Sequence, residues 1–374
     1  MSTFLYVLLA ILLLGILIAI HEFGHFATAR LTKIPVKEFA IGMGPKVFSR
    51  VSKKSGIRYS LRAIPMGGYC AFVGEDDPDK NIHNDPRAFS NQKLWKRMLT
   101  VLMGPGMNFI LAFVVLFFYF WIGGMEAPKA GSLYQPYIGG VVTNGEADFS
   151  GIRAGDFIQS VNGVDISVTE EERWSESFDT DALLFSTSIR NWKDGDDPIK
   201  LTIRRGEETL NVEVTPAYDD STGRNMIGVS YGYDALEYEH ISFTFSQSIE
   251  LAWGNFTYYS TAIFDAVIGL FKGQNLDQVS GPIGTISVIS QQVRDYGFEA
   301  FIGLLAMISV NLGIMNLLPI PGLDGSRLVF MLIEAIRGKP IPPEKEAVVH
   351  LVGFLLIFGL MIFISVRDIG NLFH

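Results

Sequence analysis

Four long apolar stretches alternate with polar segments along this chain and set its organisation. The first is Phe4–Ile20, and the others cover about 99–121, 298–318 and 347–366. A helix needs about 20 apolar residues to cross a bilayer, and the first stretch reaches that length if its helix continues to about Arg30. The pattern therefore predicts a polytopic α-helical membrane protein with four transmembrane helices.

Charge around these stretches predicts their orientation. The polar segment between the first two spans, about 31–97, is rich in Lys and Arg, and loops with such an excess stay on the cytoplasmic side. The N-terminus is then outside, and four spans bring the C-terminus to the same side. No Lys or Arg precedes His21 and no small-residue cleavage site follows, so we expect the first stretch to be a span and not a signal peptide.

The region between the second and third spans has a different pattern. Tyr137–Val142 and Phe157–Val161 alternate as strands do, Thr169–Trp192 has a helical pattern, and alternation resumes at 199–214. We therefore expect a compact β-rich domain outside the membrane. The predicted division is a membrane core with two spans at 1–127, the β-rich domain at 128–218, a linker with amphipathic surface helices at 219–297, and two further spans at 298–374.

The loop at 31–97 contains a predicted β-hairpin. Ile57–Leu61 and Tyr69–Val73 alternate, and the Pro-Met-Gly-Gly sequence at 65–68 supplies turn residues between them. The simplest role of such a hairpin is to connect two spans, although it lies close in sequence to the candidate chemistry described below.

Composition excludes several classes of function. Hydrophobic residues make up 48% of the 374 residues and the mean hydropathy is +0.28, which is too apolar for an ordinary soluble protein. The net charge of −9 argues against nucleic-acid binding, which requires a basic surface. The single cysteine, Cys70, excludes an internal disulfide and a cysteine-rich zinc site.

The most informative motif lies at the end of the first apolar stretch. His21 and His25 are four residues apart, so on a helix both imidazoles can face one metal ion, and Glu22 can accept a proton from water at that metal. Zinc is the usual metal for this pair and needs a third protein ligand. A polar helix end at the membrane surface is the alternative, but ionisable groups that continue a membrane helix are costly and usually functional.

Two residues are candidates for the third ligand. His350 is the only other histidine within a predicted span, and a lone histidine there is more often a packing residue. Asp324 follows Pro319 and Pro321, which interrupt the chain just after the third span. Four spans place Asp324 at the cytoplasmic depth of the histidine pair, provided that Leu251–Phe271 does not cross the membrane. We therefore favour Asp324 and expect Leu251–Phe271 to lie on the outer surface as an amphipathic helix.

Several motifs together make the chain resemble the site-2 protease family of intramembrane zinc metalloproteases, in its bacterial branch with a PDZ domain. The similarity covers nearly the whole chain. The matching motifs are His-Glu-Phe-Gly-His at 21–25, Phe-Ala-Ile-Gly-Met-Gly-Pro at 39–45, Pro-Met-Gly-Gly-Tyr at 65–69, Gly104-Pro105 with Asn108, Asn316 with Pro319, and Leu-Asp-Gly at 323–325. From its position alone, Asn108 is expected to make a helix–helix hydrogen bond.

The resemblance implies one zinc ion per chain, bound by His21, His25 and Asp324, with Glu22 as general acid/base. It also implies that Asn316 holds the substrate or the transition state. A membrane-re-entrant β-hairpin would receive the substrate as an added strand. The residues that the resemblance implies for contact with the substrate are Gly67, Gly68, Tyr69, Asn316 and Pro319.

The resemblance further implies a single inserted α+β PDZ domain over 128–218, with Ile138, Gly139 and Gly140 in its carboxylate-binding loop. The implied activity is hydrolysis of peptide bonds within transmembrane segments, as in regulated intramembrane proteolysis of an anti-sigma factor or a similar single-span protein that an upstream protease has already trimmed. The implied location is the lipid bilayer of the bacterial inner membrane, with both termini and the PDZ domain outside and the active site toward the cytoplasm.

Two other classes of protein share some of these features. A membrane-anchored PDZ adaptor with a non-catalytic metal site would explain the histidines but gives Glu22 no role. A zinc transporter would need polar residues along both halves of its spans, and the outer halves of these spans are apolar. The sequence therefore favours the protease.

Overall fold

The computed structural model describes residues 3–74, 85–175, 184–220, 222–273 and 281–372. The chain forms two compact units. One comprises the residues up to Gly123 and those from Phe243 onward, and the other comprises Gly124–Ser242. The second unit is thus inserted into the chain of the first.

The secondary structure follows the chain in this order. The helices are α1 (Thr3–Thr32), α2 (Leu94–Phe118), α3 (Glu146–Phe149), α4 (Glu170–Arg173), α5 (Leu184–Asn191), α6 (Phe245–Phe271), α7 (Pro282–Leu317), α8 (Asp324–Arg337) and α9 (Pro343–Leu372). The strands are β1 (Val36–Val51), β2 (Arg58–Phe72), β3 (Met125–Pro128), β4 (Tyr134–Val141), β5 (Phe157–Val161), β6 (Val164–Asp165), β7 (Ile199–Arg205), β8 (Glu208–Val214), β9 (Ala217–Asp219), β10 (Arg224–Met226), β11 (Val229–Ala235) and β12 (Tyr238–Ile241).

Among the described residues, three helices are long and apolar enough to cross a membrane. They are Phe4–Thr32, Leu94–Gly123 and Gly297–Leu317, and they coincide with the first three predicted spans. The fourth predicted span lies within α9 and stays a prediction.

The three helices pack on one another through small and branched apolar residues. Ala10, Leu13 and Leu17 of α1 are fully buried against a cluster that includes Ile289 and Val293 of α7. Gly297, with φ of 71°, interrupts α7 a few residues later. The first part of α7 therefore covers α1, and the part after the break forms the third candidate span.

α6 packs lengthwise against α2. It begins with a capping box between Thr244 and Gln247. Its first residue, Phe245, contacts Trp121 with ring centroids 5.7 Å apart, and three turns later Phe256 lies 6.0 Å from Phe109. The contacts fix the direction of α6 along α2, whereas its predicted place on the outer membrane surface stays a prediction.

β1 and β2 form a bent sheet in which each strand folds back beside the other. Ala40 of β1 lies opposite both Ser60 and Tyr69 of β2, and Ser60 also lies opposite Ser49. The start of β1 therefore has a part of β2 on each side, and the end of β2 forms one edge of the sheet. This corrects the predicted hairpin, because Ile57–Leu61 and Tyr69–Val73 both pair with β1 and not with each other.

The inserted unit is built on a sheet in the order β11-β4-β5-β7-β8, with β6 beside β5. Fully buried apolar residues on its inner face include Ile138, Ile158 and Ile203, and Phe185 of α5 covers them. The predicted helix at Thr169–Trp192 is present as the two short helices α4 and α5, and residues 176–183 lie outside the described residues. Alternation predicted the strands correctly because one face of each is buried.

The boundary of this unit differs from the prediction. Strand β11 completes the sheet by pairing with β4, and β12 pairs with β3. The unit therefore extends over Gly124–Ser242 and includes the residues from 219 to 242 that the sequence analysis assigned to a linker. The reason is that β11 pairs with a strand about 90 residues earlier, which local alternation does not reveal.

Candidate active site

Two helices far apart in the sequence bring three possible metal ligands together. His21 and His25 lie one turn apart on α1, and Asp324 is the first residue of α8. The two histidine Nε2 atoms are 3.2 Å apart, and Asp324 Oδ2 lies 3.1 Å from Nε2 of His21 and 3.2 Å from Nε2 of His25. The structure thus joins the three residues that the sequence suggested for one site.

The identity and spacing of these atoms fit zinc. Imidazole nitrogen and carboxylate oxygen are usual zinc ligands, and ligands with bonds of about 2.0–2.1 Å in a tetrahedral site lie roughly 3.3 Å apart. The three edges of 3.1, 3.2 and 3.2 Å are close to that spacing. Three protein ligands would leave the fourth position for water or substrate, as in catalytic zinc sites.

Glycines on both helices make room for this cluster. A Cβ on Gly104 of α2 would lie 2.3 Å from His25 Nε2 and 3.0 Å from His21 Nε2. A Cβ on Gly24 of α1 would lie 2.0 Å from the carbonyl oxygen of Met103. The two helices therefore touch main chain to main chain, and α2 covers the histidine pair directly.

Glu22 lies between the ligand cluster and the free edge of β2. The backbone N–H of Cys70 donates a hydrogen bond to the Glu22 carboxylate, which also lies within electrostatic range of His21 and Asp324. A Cβ on Gly68 would lie 3.0 Å from Glu22 Cγ. A carboxylate in this position can exchange protons with a peptide bond held between the strand edge and the metal ligands.

A break between α7 and α8 carries Asp324. Pro319 follows the end of α7, and Gly322 has a φ of +97°, which favours glycine. A Cβ on Gly325 would lie 2.2 Å from the carbonyl oxygen of Leu318. The start of α8 is therefore packed against the last turn of α7, and a side chain at position 325 would displace its neighbour Asp324.

Asn316 lies on the last turn of α7, close to this break. Its Nδ2 donates a hydrogen bond to the carbonyl oxygen of Leu312 at 2.9 Å. This contact holds the side chain against its own helix and fixes its direction. The role of Asn316 and Pro319 toward a substrate stays a prediction.

His350 contacts the turn that carries Asp324. Its Nδ1 accepts a hydrogen bond from the backbone N–H of Gly322 at 3.2 Å. One turn later, a Cβ on Gly353 would lie 2.3 Å from Pro321. Asp324, and not His350, stands beside the histidine pair, so α9 supports the turn and the alternative of His350 as a ligand finds no support.

Replacing His350 by Leu is expected to weaken zinc binding roughly 2- to 10-fold, because a neutral hydrogen bond contributes about 0.5–1.5 kcal/mol. His350→Asn is the matched variant, since its Oδ1 takes about the place of Nδ1 and can accept the same bond. Competition with a chromophoric chelator measures both affinities, and His240→Leu in the other unit is the control. Equal weakening in both His350 variants would mean that ring contact with Phe330 matters instead.

A buried carboxylate stabilises the bend of the β1–β2 sheet. Glu38 accepts hydrogen bonds from Ser60 and Arg62. Burial favours its protonated form, but the hydrogen bonds from Ser60 and Tyr69 and the charge of Lys46 outweigh burial, so the pKa of Glu38 lies below its usual value. The Arg62 guanidinium also donates to the Tyr69 hydroxyl and lies 5.0 Å from the centre of its ring. The Tyr69 side chain thus stabilises the sheet, and only its main chain belongs to the free edge.

Gly67 and Gly68 place this edge beside Glu22. Gly67 has a φ of +94°, and a Cβ there would lie 2.8 Å from the side chain of Met43. A Cβ on Gly68 would press on Glu22, as described above, and on the carbonyl oxygen of Ala40. The two glycines therefore permit a bend that no side chain would allow without displacing its neighbours.

The role of the predicted peptide-binding residues of the inserted unit stays a prediction, and Gly140 lines a groove beside β11. Ile138, Gly139 and Gly140 lie on β4, which pairs with β11 on one side and with β5 on the other. Ile138 is fully buried. The sequence identified the strand but not its neighbours.

In the described part of the inserted unit, β11 and β8 are the edge strands of the sheet, and β11 lies beside a groove of about 480 Å³. Ser186 and Ile189 of α5 form one wall, and the segment from Arg224 to Tyr231, which includes the start of β11, forms the other. Asn225, which also lines the groove, donates a hydrogen bond to the carbonyl oxygen of Trp192 at 2.5 Å.

Two residues of α2 contact the histidines from the side opposite to Asp324. The carbonyl oxygen of Thr100 lies 2.9 Å from His25 Nδ1, and Nδ2 of Asn108 lies 3.4 Å from His21 Nδ1. From the sequence alone, Thr100 has no predicted role and Asn108 is predicted only to make a helix–helix hydrogen bond. Their spacing of four residues on either side of Gly104, on one face of an apolar helix, is the signal that could have revealed them.

Comparison with known proteins gives a consistent family. The family model for peptidase family M50 matches residues 9–360. A putative zinc metalloprotease of Fusobacterium nucleatum is 33% identical over 372 residues, covering 98% of this chain and 99% of the relative. A putative zinc metalloprotease of Clostridium acetobutylicum is 33% identical over 369 residues, covering 98% of each chain.

A further relative carries a more specific name. The regulator of sigma-W protease RasP of Bacillus subtilis is 29% identical, covering 97% of this chain and 98% of the relative. Among solved structures, the PDZ domain of an SdrC-like protein from Listeria innocua matches 29% of this chain with 20% identity and a TM-score of 0.20. That score is too low to support an argument about the inserted unit.

Proposed function

This chain belongs to peptidase family M50, and we propose that its catalytic centre is one zinc ion held by His21, His25 and Asp324, with Glu22 as general acid/base. The chain is a zinc metalloendopeptidase with apolar helices that can cross a membrane. The triangle of ligand atoms with edges of 3.1–3.2 Å carries the proposal.

The chemistry follows from the groups around this triangle. Bound zinc supplies a Lewis acid that polarises the scissile carbonyl and acidifies water. Glu22 takes a proton from the attacking water and transfers it to the leaving amine, and its hydrogen bond from Cys70 keeps the carboxylate beside the ligands. Asn316 binds the substrate main chain or the developing oxyanion, where a donor is worth about 2.7–4 kcal/mol.

The proposed substrate is a transmembrane helix that unwinds before cleavage. A helix satisfies its own main-chain groups, so an unwound segment in a membrane needs new hydrogen-bond partners. The last part of β2, which has β1 on one side only, lies beside Glu22. We propose that the β1–β2 sheet enters the membrane and that the unwound substrate adds to this edge strand by β-augmentation. Gly67, Gly68, Tyr69 and Pro319 then line the substrate path.

The proposed biological role is regulated intramembrane proteolysis. A relative is named regulator of sigma-W protease, which supports an anti-sigma factor or similar single-span protein as substrate, already trimmed by an upstream protease. The chain crosses the bacterial inner membrane four times, with both termini and the inserted unit outside and the active site toward the cytoplasm. The basic loop at 31–97 supports this orientation.

The inserted unit is proposed to be a PDZ domain that binds an extended peptide. The groove between the edge strand β11 and α5, which Gly140 of β4 also lines, supports this proposal. The alternative of an adaptor with a non-catalytic metal site is not favoured, because Glu22 stands beside the ligand cluster and has no role in an adaptor.

Removal of zinc tests the function directly. The full chain, purified in detergent, is expected to cleave a single-span model substrate, to lose that activity on treatment with a chelator and to regain it when one equivalent of zinc is restored. A protein that binds one zinc but cleaves none of a panel of single-span substrates would favour the adaptor. Activity that survives complete removal of zinc would overturn the metal centre itself.

A further inference from the structure

The face of α2 that lies against His21 and His25 carries residues with the same spacing of four as the two histidines on α1. Thr100, Gly104 and Asn108 are four residues apart on α2, and His21 and His25 are four residues apart on α1. Thr100 meets His25 and Asn108 meets His21, with Gly104 between them. Each histidine therefore has one nitrogen toward Asp324 and the other toward α2.

A histidine that binds a metal through Nε2 carries its hydrogen on Nδ1, and that N–H needs an acceptor. For His25 the acceptor is the carbonyl oxygen of Thr100 at 2.9 Å. For His21 the polar group next to Nδ1 is the carboxamide of Asn108 at 3.4 Å. A main-chain carbonyl can only accept, whereas a carboxamide can present either its oxygen or its nitrogen.

The surroundings of Asn108 point to a role for its side chain. Asn108 is fully buried, and within the described residues its Oδ1 has no hydrogen-bond partner. The helix–helix hydrogen bond at this position is made by its main chain, whose carbonyl oxygen accepts from Ser309 Oγ at 2.7 Å. The oxygen and nitrogen of a carboxamide are interchanged by a rotation of the group. Such a rotation gives Oδ1 a donor in His21 Nδ1–H.

We propose that Asn108 is a positioning residue for the zinc site: its carboxamide oxygen accepts from His21 Nδ1–H and so keeps Nε2 of His21 free to bind the metal. The Asn108 oxygen thus accepts a hydrogen bond from His21, as the carbonyl oxygen of Thr100 accepts one from His25. The proposal rests on the zinc site proposed above. Partners of this kind typically change metal affinity by about 10- to 100-fold when they are removed.

The test is the zinc affinity of the full chain in detergent, measured by competition with a chromophoric chelator. Asn108→Leu, which has a similar volume but no acceptor, is expected to bind zinc about 10- to 100-fold more weakly than wild type. Asn108→Asp keeps an acceptor oxygen and is expected to retain most of the affinity. Ser309→Ala is the matched control, because it removes the helix–helix bond at the same residue without touching His21.

The outcomes separate this inference from the proposed function. If wild type binds one zinc and Asn108→Leu binds it equally tightly, the inference fails and the zinc site stands. If Ser309→Ala weakens binding as much as Asn108→Leu, helix packing is the cause and the inference also fails. If wild type binds no zinc, both fail. If Asn108→Leu does not fold, the zinc affinity of Asn108→Ala tests the same loss of an acceptor. The cobalt absorption spectrum of Asn108→Asp is a second test, because a retained His21 tautomer leaves that spectrum unchanged.

Discussion

Glu22→Gln is expected to leave zinc binding intact and to slow peptide hydrolysis by about 10²- to 10⁴-fold, the usual contribution of a general acid/base. Glutamine has nearly the same shape and can still meet the Cys70 N–H through its side-chain oxygen. It cannot take the proton of the attacking water. Because Glu22 is not one of the three clustered ligands, its loss removes the chemistry and leaves the metal. Single-turnover cleavage of a model substrate and zinc content per chain measure the two effects.

Asp324→Ala is the contrasting variant for this experiment. It removes one of the three ligand atoms, so it is expected to lose zinc and activity together, whereas Glu22→Gln loses activity alone. A Glu22→Gln protein that cleaves as fast as wild type would contradict the general acid/base role. Full zinc content in Asp324→Ala would show that a different group completes the metal site.

Gly104→Ala is expected to destroy the zinc site although it adds only one methyl group. The new Cβ would lie 2.3 Å from Nε2 of His25, inside the space that the ligand atom itself occupies. A movement of the imidazole away from the new methyl group would take Nε2 out of the triangle of ligand atoms, whose edges are 3.1–3.2 Å. Overpacking of this kind costs about 1–3 kcal/mol or more, which corresponds to at least roughly a 5- to 150-fold loss of zinc affinity.

Gly106→Ala is the matched control, two residues further along the same helix. A Cβ there would lie 3.3 Å from the sulfur of Met103, which is on a flexible side chain that can move aside. Alanine also favours the helix over glycine by about 1 kcal/mol, so this variant is expected to keep zinc and to unfold at the same or a higher temperature. Chelator competition on both variants is the measurement. Equal zinc affinity for Gly104→Ala and wild type would show that α1 and α2 are further apart than the structure has them.

The bend of the β1–β2 sheet brings a strand edge beside Glu22, which lies next to the three proposed metal ligands. A straight hairpin would pair its two strands along their whole length. Here the start of β1 is enclosed on both sides by β2, which makes the last part of β2 an edge strand. The sheet thus presents main-chain groups next to the general acid/base, with a glycine at the point of closest approach.

Much of this protein could be predicted from local pattern. The apolar stretches predicted three helices at their correct places. A segment that can cross a bilayer is apolar along its whole length and forms a helix that satisfies its own main-chain hydrogen bonds, so the pattern is visible locally. Strict alternation predicted strands of the inserted unit, because one face of each strand is buried. The histidines at 21 and 25 were assigned to one face of a helix from their spacing alone. Asp324 was chosen by counting spans, and the observed meeting of α1 with α8 agrees with that count.

The features that could not be predicted are those that depend on contacts between distant segments. Alternation in β4 identified a strand but could not show that β11, about 90 residues later, would pair with it. The sequence 57–73 has two strand-like segments, and only tertiary packing decided that both pair with β1. In each case the side-chain pattern fixes the faces of a strand and leaves its neighbours undetermined.

The sequence by itself therefore determined three helices that are long and apolar enough to cross a membrane, the histidine pair with its glutamate, and the family to which the chain belongs. Tertiary structure decided what surrounds them: that Gly104 gives the ligands their space, that His350 supports the turn before Asp324, and that Asn108 meets His21. The physical reason is that periodicity records which side of an element is apolar, whereas the second hydrogen bond of a ligand depends on how closely two helices approach. The distance between α1 and α2 depends on Gly24 of one helix and Gly104 of the other, so it cannot be read from either segment alone.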